Sequence, residues 1–189
     1  MAGLYEKLES ARFAIEKTRS GDIIRVKAPR PIGSILFLLF WLGGWTFGGV
    51  WAIKGLMQEF QPFLMFWLGG WALGWAFAAR TLAWMLFGSE TLTVVGRDLE
   101  IGYHVGPFSR RKLYRGADIR NLKPSGFVGS SHTIPPLRGT SRVGAVQFDY
   151  GTRTVYAAAP LGEAEGRMVV QQLGKRLPTG ALAPPPSGS

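Results

Sequence analysis

The chain has 189 residues, 22 Lys or Arg against 12 Asp or Glu, a net charge of +10 and a mean hydropathy of +0.10. This length leaves room for one ordinary domain and an accessory element, and a chain that is both strongly basic and slightly apolar is unusual among soluble domains. The absence of cysteine excludes disulfides, zinc-thiolate sites, iron–sulfur clusters and cysteine nucleophiles.

Residues 3–19 show a pattern typical of an amphipathic helix. Charged side chains cover most of the predicted helix surface. The apolar residues that recur on one face are Leu4, Leu8, Ala11 and Ile15. We therefore predict, over residues 1–30, a helix followed by an extended lead-in that a proline stops. The helix is expected on a membrane surface or against a soluble domain.

Two long uncharged segments follow. Neither residues 31–53 nor residues 63–79 contain a charged side chain, and each is close to the roughly 20 apolar residues that a helix needs to cross a bilayer. Residues 31–88 are therefore predicted to form a transmembrane helical hairpin, with spans at about 31–53 and 63–86. A signal peptide is the competing interpretation of the first segment. That segment, however, starts thirty residues into the chain, ends without a small-x-small cleavage site and precedes a second span.

The basic residues predict the orientation of this hairpin. Seven Lys or Arg precede the first span and thirteen follow the second, whereas the connecting loop has only Lys54, which Glu59 offsets. The positive-inside rule then places both termini in the cytoplasm. Arg80, near the inner end of the second span, is expected to snorkel to the phosphate layer, and a charge on a transport path is the alternative.

The phrase FWLGGW occurs twice, at residues 40–45 and 66–71. Small residues recur every four positions in both spans, a spacing typical of close helix packing. The predicted packing residues are Gly44, Gly48, Ala52, Gly70, Gly74 and Ala78. If the hairpin folds about residue 59, Gly48 faces Gly70 and Gly44 faces Gly74.

Tryptophans flank these small residues and are expected to face outward. They are Trp41, Trp45, Trp67, Trp71 and Trp75. Several of them fall near the middle of a span, where an interfacial aromatic belt does not explain them. They are predicted to contact lipid, another integral membrane protein, or the apolar tail of a pigment or quinone, and the sequence leaves these alternatives open.

From Ser89 onward the apolar residues alternate, which predicts strands. Residues 89–178 are predicted to form a small antiparallel β domain that a C-terminal helix covers, with a long Gly-, Ser- and Pro-rich loop over residues 124–142. The last segment, 179–189, is predicted to be disordered.

The segments GSETLTVVGRDLEIGYHVGPFSRRKLYRGADIRNL and VQFDYGTRTVYAAAPLGEAEGRMVVQQLGKRLP follow the predicted hairpin. This arrangement resembles the bacterial pleckstrin-homology-like (PH-like) membrane proteins, in which two spanning helices precede a cytoplasmic domain of this pattern. The resemblance covers about residues 31–178 and implies an α+β membrane protein with a PH-like domain in the bacterial inner membrane. It carries no catalytic signature, and the N-terminal stretch and the long loop depart from it.

No reactive constellation is evident in the sequence. His104 and His132 have no second histidine or cysteine nearby, so neither predicts a metal site, and no cofactor is expected. Ser130, His132 and Asp149 lack a nucleophile-elbow context. We therefore expect no enzymatic activity and no small-molecule substrate.

A basic cluster lies in the predicted β domain. It comprises Arg110, Arg111, Lys112, Arg115, Arg120 and Lys123. These residues are expected to contact the anionic inner leaflet or an acidic partner, or else only to obey the positive-inside bias. Nucleic-acid binding is not expected, because the strand aromatics alternate inward and leave no stacking platform.

The sequence as a whole predicts a non-catalytic scaffolding or accessory subunit. Its hairpin would pack on a partner membrane complex of respiratory, photosynthetic or transport type. The alternative is a regulatory module whose PH-like domain binds anionic lipid headgroups. A transporter fragment built around Arg80 is a third alternative.

Overall fold

The computed structural model describes residues 13–18, 21–59, 61–125 and 144–182. The strands are β1 (Phe13–Thr18), β2 (Gly21–Lys27), β3 (Gly88–Val95), β4 (Asp98–Val105), β5 (Phe108–Tyr114), β6 (Ile119–Pro124), β7 (Val146–Tyr150) and β8 (Arg153–Ala157). The helices are α1 (Ile32–Gln58), α2 (Pro62–Phe87) and α3 (Glu163–Gly174), and short 3-10 turns cover Gly116–Asp118 and Thr179–Ala181. The coarse prediction of an α+β chain with two long apolar helices and antiparallel sheets is confirmed.

The strands form two antiparallel sheets, a five-stranded one in the order β1-β2-β3-β4-β5 and a three-stranded one in the order β6-β7-β8. Burial alternates along β3, as expected for a strand with one face on the core. The inward faces of both sheets share one core with α3. Its largest fully buried side chains include Phe148, Ile24, Leu92, Leu99, Ile101 and Ile119.

The two long helices are inserted between neighbouring strands of the first sheet. α1 follows β2 and α2 precedes β3, yet β2 and β3 pair antiparallel, with Val26 opposite Glu90. The Ala28 amide donates to the Gly88 carbonyl at 3.0 Å. The helix pair therefore stands where a hairpin loop would otherwise join two strands.

The predicted N-terminal helix over residues 3–19 is wrong where the structure describes it, because residues 13–18 form β1. Phe13 and Ile15 occupy alternate positions facing the core, and Phe13 is buried. Burial of an aromatic side chain in a sheet outweighs helix-propensity differences of less than about 1 kcal/mol per residue. Residues 3–12 lie outside the described residues.

The segment predicted as an extended lead-in is also a strand of the sheet. β2 contributes the buried residues Ile24 and Val26 to the common core. Residues 1–30 are therefore not a unit separate from residues 89–178, because β1 and β2 extend the sheet that β3, β4 and β5 build.

The long helices agree closely with the predicted spans, although α1 continues beyond residue 53 to Gln58. Helices of 27 and 26 residues are about 40 Å long at about 1.5 Å per residue. By length and composition, both can cross a membrane. They exceed the roughly 30 Å hydrocarbon core, which a tilt accommodates.

α2 passes into β3 without a linker. The Gly88 amide donates to the Trp84 carbonyl, and Gly88 is also the first residue of β3. A side chain at Gly88 would overlap the Trp84 carbonyl oxygen, so only glycine fits there. Nη2 of Arg30 donates to the Leu86 carbonyl at 2.9 Å, which ties the start of α1 to the end of α2.

The prediction of disorder from residue 179 is wrong for its first four residues. Ala181 is fully buried, and Leu182 forms a parallel bridge with Leu122. Leu182 also lies against Gly174, where an added Cβ would come within 2.8 Å of it. Apolar contact with the core orders this segment, which its composition does not reveal. Residues 183–189 and 126–143, the latter most of the predicted long loop, lie outside the described residues.

Candidate functional site on the helix pair

The contact between α1 and α2 follows a spacing of three and four residues. The least exposed positions of α1 are Ile35, Leu38, Leu42, Trp45, Gly49, Ala52 and Leu56. Those in the first two thirds of α2 include Leu64, Leu68, Trp71, Gly74 and Ala78. Alternating steps of three and four residues keep one stripe of a helix facing its partner, as in left-handed helix pairs.

Indole rings rather than glycines fill the centre of this contact. A Cβ at Gly49 would overlap the Trp71 ring, and a Cβ at Gly74 would come within 2.8 Å of the Trp45 ring. The rings of Trp45 and Trp71 meet edge to face at 5.6 Å. Each helix therefore offers one glycine that receives a tryptophan of the other.

The predicted glycine-to-glycine register is wrong. A Cβ at Gly44, Gly48 or Gly70 would meet nothing within 4 Å, whereas Gly74 does lie in the contact. Ala52 and Ala78 are half-buried on the same stripes. A strict four-residue repeat turns by about 40° per step around an α-helix, so it leaves the contact face within two steps.

The tryptophans divide into two groups instead of all facing outward. Trp45 and Trp71 pack inward, which corrects the prediction for these two. Trp41 and Trp67 remain 49% and 45% exposed, and Trp75 is 37% exposed. Nε1 of Trp75 donates to Oγ1 of Thr46 at 2.9 Å, a hydrogen bond that joins the two helices.

An open groove of about 510 Å³ runs along one side of the helix pair. Neighbouring rings contact one another along each helix: Trp41 and Trp45 at 5.6 Å on α1, and Trp67 and Trp71 at 6.4 Å on α2. We call this surface the aromatic groove, and its lining residues are Trp41, Trp45, Phe63, Phe66, Trp67, Gly70 and Trp71. Gly70 thus has a place outside the helix contact, because its missing side chain leaves room in the groove.

The predicted basic cluster does not form one surface. The strand register places Arg110 and Lys112 on the inward side of β5 and Arg111 on the outward side. Nζ of Lys112 lies 4.8 Å from the Tyr114 ring centroid, and Nη1 of Arg111 lies 3.6 Å from Oε1 of Glu100. The other members lie apart from these: Arg115 precedes a 3-10 turn, and Arg120 and Lys123 belong to β6 in the second sheet.

Of the candidate triad Ser130, His132 and Asp149, only Asp149 lies among the described residues. Asp149 accepts hydrogen bonds from Asn121 at 2.7 Å and Thr154 at 2.8 Å, and these lower its pKa. Ser130 and His132 lie outside the described residues. Within the described ranges, no group of three or more His, Cys, Asp or Glu is placed to hold a metal ion. Arg80 is exposed on α2.

Glu90 is a buried acid that the sequence patterns did not single out. Its Oε2 accepts the Ala158 amide at 3.1 Å, while Oε1 makes no hydrogen bond of ordinary geometry within the described residues. Burial raises the pKa of Glu90 to about 7, and the amides of Ala158 and Ala159 and the nearby Tyr103 hydroxyl offset part of that effect. The available signal was an acid at an inward position of an alternating strand.

The described elements define an α+β chain in which two long apolar helices interrupt an antiparallel sheet and carry an aromatic groove. No family model, curated protein or solved structure matches the chain. The resemblance to the PH-like membrane proteins therefore stays a prediction.

Proposed function

We propose that this chain is a non-catalytic scaffolding subunit whose helix pair crosses the bacterial inner membrane and docks on another integral membrane protein. Both termini lie in the cytoplasm, together with the β domain, for which we propose a PH-like fold. The partner is a membrane complex of respiratory, photosynthetic or transport type. The single observation that carries the proposal is the aromatic groove.

Membrane insertion is supported by the surface of the two helices. Phe40, Phe66 and Ile32 are 85%, 84% and 73% exposed. Continuous apolar surfaces of this kind are rare on soluble monomers, because each exposed apolar Å² costs about 25 cal/mol in water. In a bilayer the same side chains contact lipid at no such cost. The charge distribution supports an orientation in which the short connection after Gln58 lies outside, with Lys54 near that end of α1.

Docking on a protein is supported by the shape and composition of the groove. The exposed rings of Trp41 and Trp67 each contact a ring of the packed Trp45–Trp71 pair. These contacts fix the positions of the exposed rings in the absence of a partner. Aromatic side chains in preformed pockets are the residues most enriched at interface hot spots, since they bury a large area with little loss of conformational freedom. The half-exposed faces of Trp41 and Trp67 are then available to a partner helix.

Purification from native membranes in a mild detergent tests this function. The full chain should retain a stoichiometric integral membrane partner, and Trp41→Leu combined with Trp67→Leu should release it. Trp51→Leu is the matched control, because Trp51 is 62% exposed on α1 and does not line the groove. A lone chain, an equal loss in the control, or a bound quinone or pigment in place of a protein each contradicts the proposal.

A further inference from the structure

The outward face of the five-stranded sheet has its basic residues at the end next to the helices. The first row beyond Gly88 runs across four paired strands and comprises Lys27, Ser89, His104 and Ser109. The second row comprises Arg25, Thr91, Gly102 and Arg111. We refer to these as the first and second rows.

Acidic residues on this face lie farther from the helices. Glu100 and Glu16 belong to the third row, opposite Thr93 and Ile23 respectively. Nε of Arg25 lies 3.2 Å from Oε1 of Glu16, and Glu100 holds Arg111 in a similar way at 3.6 Å. The two arginines are therefore held in place from the far side, while the two rows nearest the helices carry only positive charge.

Gly102 occupies the centre of this basic surface. Oγ1 of Thr91 and Nε2 of His104 lie 3.1 Å apart, and a Cβ at Gly102 would come within 2.5 Å and 3.0 Å of them. Glycine inside a strand often marks a close approach of another group. At this position it lets the Thr91 hydroxyl and the His104 imidazole approach each other. Arg25 on β2 and Arg111 on β5 flank them, and the backbones of these two strands lie about 14 Å apart, across three strand spacings.

We propose that the first two rows bind the phosphate of an anionic glycerophospholipid of the inner leaflet, seated between Arg25 and Arg111 on the outer side of the Thr91–His104 pair that covers Gly102. The arginines supply charge-assisted hydrogen bonds, and the hydroxyls of Ser89 and Ser109 supply neutral ones. The Thr91 hydroxyl donates instead to the Gly102 carbonyl at 3.5 Å. His104, whose Nε2 is hydrogen-bonded to Oγ1 of Thr91 at 3.1 Å, adds a positive charge to the site when it is protonated. This site differs from the cluster that the sequence predicts, since only Arg111 is common to both.

The position of the rows identifies a membrane lipid as the source of the phosphate. Because β3 begins where α2 ends, the two rows lie about 3 Å and about 10 Å from the helix end at about 3.3 Å per residue. The β4–β5 turn reaches the same end of the sheet, since Val105 pairs with both Gly88 and Phe108. Phe108 is 78% exposed there, as expected for a side chain that enters the lipid interface.

His104 provides a reporter for the bound anion. Burial lowers the pKa of His104, and the positive charges of Arg25 and Arg111 lower it further, while Glu100 acts in the opposite direction. Lys27 lies in the same row and adds to the positive surroundings. A phosphate between the arginines favours the imidazolium and must therefore raise the pKa of His104.

The test is a titration of the full chain in uncharged detergent micelles, observed through the His104 ring by NMR. The sequence has two histidines, so a His132→Gln background leaves His104 alone. The probes are short-chain phosphatidylglycerol, short-chain phosphatidylcholine and inorganic phosphate. We expect phosphatidylglycerol alone to raise the pKa of His104. Arg25→Gln with Arg111→Gln should weaken its binding about 30-fold, at about fivefold per side chain near an anionic lipid.

Arg110→Gln with Lys112→Gln is the matched control, because it removes the same charge from the opposite side of β5. It should change the affinity by no more than about threefold, since charges on the far side act through screened solvent. An equal loss in both double variants would mean diffuse attraction and overturn the site. An equal response to inorganic phosphate overturns the lipid assignment, and an unmoved His104 overturns both. The proposal shares membrane insertion with the proposed function, but micelles without a partner test the sheet surface separately from the groove.

Discussion

Glu90 stands where the alternation of β3 would place an apolar residue. Leu92 and Val94 follow it on the same inward face, and all three are buried. An isolated charge in such a place is costly, so the carboxyl group either finds donors or takes up a proton. The Glu90 carboxyl group accepts a hydrogen bond from the Ala158 amide, and it also holds a proton more readily than usual, because its pKa rises to about 7. Its hydrogen bond connects β3 to the chain between β8 and α3.

Glu90 should make the stability of the fold depend on pH below neutrality. Its pKa rises from an ordinary 4.5 to about 7 on folding, so the folded chain binds the additional proton between these values. The contribution of this group is therefore most favourable below pH 4.5 and is lost as the pH rises to 7. The loss amounts to about 3 kcal/mol.

Glu90→Gln should remove this dependence, because the amide stays neutral and can still accept the Ala158 N–H. The variant should match the natural chain near pH 5 and exceed its stability above pH 7. Denaturant unfolding of the full chain in micelles at a series of pH values measures the difference. Parallel profiles for the two proteins between pH 5 and 7 would contradict the assignment.

At the scale of elements, the helix pair is held by two tryptophans that enter two glycine gaps. The Trp71 ring packs on Gly49 and also contacts Trp45 and Trp67, so it cannot swing aside freely. The adjacent Gly48 faces open space. Two neighbouring glycines of one helix thus have opposite requirements for size.

Gly49→Ala should therefore destabilise the helix pair, whereas Gly48→Ala should not. Alanine at position 49 overlaps the Trp71 ring and should destabilise the helix pair by about 1–3 kcal/mol, as overpacking does. Alanine at position 48 meets no atom and should be neutral or stabilise by up to about 1 kcal/mol through helix propensity. Thermal unfolding of the two variants in the same micelles measures both effects, and equal effects would sink this register.

The sequence predicts the existence of these helices but not their contact. A segment without charge over residues 31–53 leaves few alternatives to a long apolar helix, and the alternation after Ser89 similarly indicates strands. The repeated glycines, by contrast, fit both a four-residue stripe and a three-and-four spacing. Only the shape of the Trp45 and Trp71 rings against Gly74 and Gly49 decides between them.

For the candidate site too, the sequence predicts which residues take part but not which of them face the same surface. The tryptophans were identified, yet their division into packed and exposed members depends on helix rotation that composition does not determine. The basic residues of β5 were identified too, but a strand sends neighbours to opposite faces, so a run such as Arg110, Arg111 and Lys112 cannot be one surface. Arg25 and His104 join Arg111 only through pairing across three strands.

At the scale of the whole molecule, the sheet is assembled from chain segments on both sides of the helix pair. β2 pairs with β3 over residues that lie more than sixty positions apart, for example Val26 and Glu90. The pairing holds the two helix ends next to each other, and the Arg30–Leu86 hydrogen bond reinforces it.

If β2 shares the core of the β domain, a core substitution in β2 should destabilise the whole domain, whereas it would not if residues 1–30 were a separate segment. Ile24 is 1% exposed in the common core, whereas the preceding Ile23 is half-buried on the outward face. Ile24→Ala should therefore destabilise the β domain by about 2–5 kcal/mol, the cost of a cavity in a packed core. Ile23→Ala removes the same atoms from a solvent-facing position and should cost less than about 1 kcal/mol.

The measurement is limited proteolysis of the full chain in micelles with increasing denaturant, followed at cleavage sites after residue 88. These sites follow the helix pair in the chain, whereas position 24 precedes it. A change at position 24 therefore reaches them only through the shared core. Earlier cleavage in Ile24→Ala than in Ile23→Ala is the expected result. If both variants resist protease as the natural chain does, β2 contributes nothing to the domain and its place between β1 and β3 in the sheet is wrong.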